Sequence, residues 1–111
     1  MSLPASHDIA IYQGDTIVLK LQYHDAKGNP LDLTGASVRL AGKVNITDKD
    51  PTLLLDGQVY NAHLGKFAFS LDVAASTQLP PKLVYDIQLT LANKFVRTIL
   101  HGNLETVREV Y

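Results

Sequence analysis

A chain of 111 residues, 46% hydrophobic and 19% charged, is long enough for one hydrophobic core, too short for two, and too apolar to stay disordered. Ten Lys+Arg against 11 Asp+Glu leave a net charge of -1, which supplies no basic footprint for a phosphate backbone. No apolar run approaches the roughly 18 residues of a membrane span, and the absence of cysteine excludes disulfides, thiolate nucleophiles and cysteine-held metal centres. The expectation is one domain over 1–111 with neither nucleic acid nor membrane as partner.

The first ten residues, MSLPASHDIA, have neither the basic start nor the apolar core of a secretory leader, so no signal peptide is expected. DIAIYQ at 8–13 is a weak strand signal. TIVLKLQY follows with Ile17, Leu19, Leu21 and Tyr23 on one face, the period-two pattern of a half-buried strand. ASVRLAGKV repeats it with Val38 and Leu40, and GKFAFSLD with Phe67, Phe69 and Leu71. Between those two, TLLLDGQVY at 52–60 is a weaker strand. DVAASTQLPP at 72–81 is the one helical stretch, a turn or two near 73–79 before Pro80 and Pro81 stop it. VYDIQLTL then alternates Tyr85, Ile87, Leu89 and Leu91, and a last strand from Lys94 to Val107 is expected to break or bulge near Gly102.

Gly14-Asp15, Gly28-Asn29-Pro30, Asp56-Gly57, Gly65 and Asn93 punctuate these runs as turns. About seven short strands without long helical segments argue for antiparallel pairing in two packed sheets, an all-β sandwich of immunoglobulin-like or fibronectin-like kind.

Tyr85 raises a choice between chemistry and architecture. In such sandwiches a tyrosine near the start of the sixth strand turns its hydroxyl onto upstream backbone and closes a corner. Leu79 lies six residues earlier and Pro81 stiffens the approach, so Tyr85, Leu79 and Pro81 are expected to form a structural corner. A catalytic role would need a base beside the hydroxyl, and the adjacent Asp86 points to the other face of the strand.

Other reactive side chains are scattered. His7, His24, His63 and His101 show no i, i+2 or i, i+4 spacing for a metal, and Asp48 and Asp50 in NITDKDP lack the glycine and distal glutamate of a calcium loop. Asn45-Ile46-Thr47 spells a glycosylation acceptor, a three-residue match that occurs often by chance. The two glutamates, Glu105 and Glu109, sit on or near the last strand, and neither a nucleophile elbow nor a glycine-rich phosphate loop is present. No enzyme activity, catalytic residue, metal or cofactor is expected.

KFVRTILHG at 94–102 is apolar on both faces, Phe95, Arg97 and Ile99 on one and Val96 and Leu100 on the other. Either a loop of the same domain covers the second face, or Phe95, Arg97 and Ile99 form an interface with another chain. The closing REVY either finishes the strand or serves as a docking tail.

Three stretches together resemble the small immunoglobulin-like domain of many bacteriophage and prophage structural proteins, similar to the N-terminal domain of the baseplate upper protein family. They are DIAIYQGDTIVLKLQYHDAKGNPLDLTGASVRL, STQLPPKLVYDIQLT with its Leu-Pro approach to Tyr85-Asp86, and RTILHGNLETVREV. The resemblance implies a non-enzymatic virion component of a tail, baseplate or head, made in the bacterial cytoplasm. It would bind other virion proteins or copies of itself, with segments 25–35, 45–52 and 94–101 as contact regions. The reading left beside it is a carbohydrate- or ligand-binding β-sandwich module of a secreted or surface protein, although the chain has no tryptophan to serve as a stacking platform.

Overall fold

The computed structural model describes residues 5–24 and 27–107, and within them the alternating segments pair into two sheets. The strands are β1 (Ala5–Ser6), β2 (Ile9–Tyr12), β3 (Ile17–Gln22), β4 (Ser37–Lys43), β5 (Leu53–Asp56), β6 (Gln58–Asn61), β7 (Lys66–Leu71), β8 (Lys82–Thr90) and β9 (Val96–Val107). A single turn of 3-10 helix spans Ala62–Leu64, and α1 spans Val73–Thr77. The larger sheet runs β1-β9-β8-β4-β5 with β2 also on β9, and the smaller runs β3-β7-β6. Two packed sheets with this strand order make an immunoglobulin-like β-sandwich.

The inner faces are those the alternation predicts. Val38, Leu40, Phe67, Phe69, Leu71, Leu83, Ile87, Leu89 and Leu104 are buried between the sheets, with Phe67 and Phe69 edge to face at 5.9 Å. Burial on this scale is the main stabilising contribution, and truncating a core phenylalanine of this kind costs about 3–5 kcal/mol.

Strand count and direction differ from expectation in two places. The stretch 52–60 is two strands, because Gly57 alone carries the chain from β5 in one sheet to β6 in the other. A β-carbon at Gly57 would collide with Val38 and Phe69, so only glycine lets the crossing pass so close to the core. At the other edge β1 and β2 run parallel to β9, not antiparallel, with Ile9 opposite Leu104 and Ile11 opposite Thr106. The chain enters beside its own last strand and then turns into the opposite sheet.

The bulge expected near Gly102 lies earlier, at Ile99. Ile87 pairs with Leu100 but Gln88 pairs with Thr98, so Ile99 is the extra residue. A one-residue insertion reverses the in-out parity of a strand. Arg97, opposite Leu89, and Ile99 share the core-facing parity before the bulge, whereas Leu100 and Leu104, opposite Ile87 and Leu83, share it after. The bulge therefore brings Ile99 and Leu100, adjacent in sequence, both toward the core, while Phe95, Val96 and Arg97 stay exposed.

Candidate functional site

Tyr85 is buried, and it sits opposite Gly102 in the β8–β9 ladder. Its hydroxyl donates to the backbone carbonyl of His7. This corrects the expected corner: the bond reaches the interruption between β1 and β2, not the backbone near Leu79 and Pro81. The reason is the neighbour of Tyr85 on β9. A β-carbon at Gly102 would collide with the His7 carbonyl, so the missing side chain lets residues 7 and 8 cross directly over the strand within reach of the phenol.

Two further ties hold this crossing. The His7 N–H donates to the His101 carbonyl at 2.9 Å, and the Asp8 carboxylate accepts from the Asn103 N–H at 3.0 Å. Burial first, and the nearby Asp8 carboxylate second, push the Tyr85 phenol up to about 12. A phenol held neutral and bonded to a main-chain carbonyl acts as a clamp for the N-terminal strand.

The bend before β8 is closed by other groups. Leu79 is buried, and Pro81 is exposed with its carbonyl accepting from the Thr106 N–H at 2.9 Å. Asp72 caps α1 by accepting from the Ala75 N–H at 2.8 Å. Ser76, fully buried, accepts from the Gly14 N–H at 3.1 Å and donates to the Asp15 carbonyl at 2.8 Å, tying the helix to the β2–β3 turn. The sequence carried no signal for the role of Ser76, whose partners lie 61 and 62 residues away.

The residues singled out for interaction separate. Ile99 is 8% exposed and belongs to the core, which withdraws it from the expected interface. Phe95, 53% exposed, lies in the β8–β9 turn outside the strand, and Val96 and Arg97 beside it are exposed. In that turn the Phe95 N–H donates to the Asn93 side-chain oxygen at 3.0 Å. Lys94 takes a positive φ of 68° in this turn.

A second surface was not legible. On the outer face of the larger sheet a groove of about 460 Å³ is floored by Ala41, Val84 and Asp86, flanked by His101 and Asp8, and walled by Ile46 from the β4–β5 hairpin. Ile46 is 79% exposed. Asp48, two residues on, accepts from the Asn45 N–H at 3.0 Å and its carbonyl from Lys43 at 2.7 Å, so its oxygens build the hairpin turn.

Among the described residues no three His, Asp or Glu side chains gather as a metal-binding group. His63 instead lies 3.4 Å from the Asp32 carboxylate. The Thr34 hydroxyl, then its N–H, hold that carboxyl below the usual range, with the His63 charge contributing less. Residues 108–111, with Glu109 and the REVY tail, fall outside the described residues.

The chain matches no protein-family model and no curated protein. Among solved structures it is similar to Drosophila OTK extracellular domains 3-5, at 17% sequence identity and a TM-score of 0.40. That match covers 99% of this chain and 39% of the other, so this chain spans well under half its length. The assignment of the fold rests on strand order and register.

Proposed function

We propose that this chain is a non-enzymatic assembly module of a phage or prophage particle, working through protein–protein contacts. The observation that carries the reading is the adjacent pair of large exposed apolar side chains at the β8–β9 turn, Phe95 and Val96, with Ile46 and Leu54 exposed at the β4–β5 hairpin and on β5 of the same sheet. Apolar residues scattered singly are ordinary on a protein surface, whereas two large ones side by side on a projecting turn suit contact with another protein. The resemblance of the three sequence stretches to phage structural domains supports the particle setting. The reactive groups that stand out are engaged in the fold, Tyr85 in a clamp, Asp72 in a cap and Ser76 in a buried tie.

The groove favours a second reading, a ligand- or carbohydrate-binding module, on its volume alone. Its one aromatic lining residue, Tyr85, is buried and offers no open face for a sugar ring.

The deciding experiment is immunoblotting of gradient-purified particles from lysates of a bacterial host carrying the gene in its own context. The chain is expected to band with particles after a salt wash. Recovery only in the soluble fraction, together with a positive glycan array, would replace the assembly reading with the ligand-binding one.

A further inference from the structure

The two exposed surfaces are complementary. The β8–β9 tip carries Lys94, Phe95, Val96 and Arg97 in sequence, two cations around two exposed apolar side chains, and neither cation makes an ion pair among the described residues. The groove on the outer face has the opposite character. Its floor is apolar at Ala41 and Val84, its wall is the exposed Ile46, and it holds two carboxylates, Asp8 and Asp86. Asp86 is half-buried with no side-chain hydrogen bond or ion pair among the described residues. The one ammonium there, Lys43, is engaged by the Asp48 carbonyl at 2.7 Å, so acidic groups outnumber it two to one.

One copy cannot satisfy itself. Thr98 lines the near end of the groove, but its apolar floor lies farther along: Val84 is opposite Asn103, eight residues after Phe95 and about 25 Å at ~3.3 Å per residue, and an extended strand cannot fold the Phe95 side chain onto that floor. A second copy can supply the tip. We propose that the chain self-associates head to tail, the Lys94–Arg97 tip of one copy entering the Asp86 groove of the next.

Phe95 then packs against Ala41, Val84 and Ile46, while Lys94 and Arg97 approach Asp86 and Asp8. Such a contact joins two different patches, so it does not stop at two copies: it closes a ring or extends a filament. The inference rests on the reading of the chain as an assembly module, which it deepens by naming the partner as a second copy. Charge steers the encounter and apolar burial holds it, so association weakens as salt screens the pairs.

The test is solution mass by light scattering over a concentration series at low and high salt, with three variants. Phe95→Ser with Arg97→Glu disables the tip. Ile46→Lys disables the groove from an exposed loop position that leaves the core untouched, and Asp86→Asn removes the unpaired carboxylate. Wild type is expected to grow beyond a dimer at low salt and shrink at high salt. Tip and groove variants are expected to be monomeric with unchanged melting temperatures, and Asp86→Asn to associate about tenfold or more weakly.

The decisive sample is an equal mixture of the tip variant and the Ile46→Lys variant. Each retains the surface the other lacks, so a pair of twice the monomer mass is expected and nothing larger. A wild-type chain that is monomeric throughout, an assembly indifferent to these variants, or a mixture that fails to pair would each overturn the proposal. A chain that bands with particles yet fails here is an assembly module with a different partner. One that polymerises here yet is absent from particles keeps this contact and loses that setting.

Discussion

The two halves of β9 come from one uninterrupted strand and differ in what lies beside them. From Gly102 onward it has β8 on one edge and the N-terminal chain on the other, with Tyr85, His7, Asp8 and Asn103 tied across it. From Val96 to Ile99 its one paired neighbour among the described residues is β8, and its first residues are exposed. Both halves are rich in apolar residues. Only neighbours decide that Leu104 is core while Val96, 54% exposed, is surface. Composition reports that a segment can be buried, and the edge it is given decides whether it is.

Substitutions on either side of the bulge sharpen that contrast, and the largest effect is expected at Ile99. Replacing Ile99 by Ser leaves a cavity and buries a hydroxyl, so a loss of about 3–4 kcal/mol is expected in chemical denaturation. A loss under 1 kcal/mol would mean that the side chain faces solvent and does not belong to the core.

In the second half, Gly102→Ala drives a methyl group into the His7 carbonyl. It is expected to cost about 2–3 kcal/mol and to speed hydrogen exchange in β2 more than in β4. Uniform acceleration across the sandwich would remove the idea of a separately clamped strand.

Tyr85→Phe deletes the bond to His7 and is expected to cost about 1–2 kcal/mol at neutral pH. Its pH dependence carries a sign. Burial raises the folded-state pKa from 10.0 to about 12, so the folded state holds this proton more tightly than the unfolded chain. The resulting stability is complete below pH 10.0 and is lost as pH rises through about 12. Stability measured across that window is expected to fall more steeply for the native protein than for the phenylalanine variant, and parallel curves would count against a buried clamp.

The smallest effect belongs to the tip. Phe95→Ser is expected to change stability by less than about 0.5 kcal/mol while altering self-association, because an exposed turn residue supports no core.

Much of the scaffold was legible because it is written locally. Alternation at 17–23, 36–44, 65–72 and 84–91 reports a half-buried strand wherever it occurs, and Pro80 and Pro81 report where the short helix must stop. The candidate surfaces were legible only in part. Phe95 and Arg97 stand exposed, but Ile99 in the same alternation is core, and nothing in 94–102 announces where along the strand burial begins. The groove was invisible, for it joins residues from 8, 41, 46, 84 and 101, and no window along the chain contains them together.

The sequence by itself determined an all-β chain, its inward residues and its turns, because period two and turn chemistry are properties of a few neighbouring residues. The tertiary structure alone decided where the phenol of Tyr85 is fastened, since its partner is 78 residues away. It also decided that Gly102 serves a close crossing and not a bulge, and that β1 and β2 run parallel to β9. Those outcomes depend on which edges meet, and strand pairing is chosen among distant segments by the burial of all of them at once.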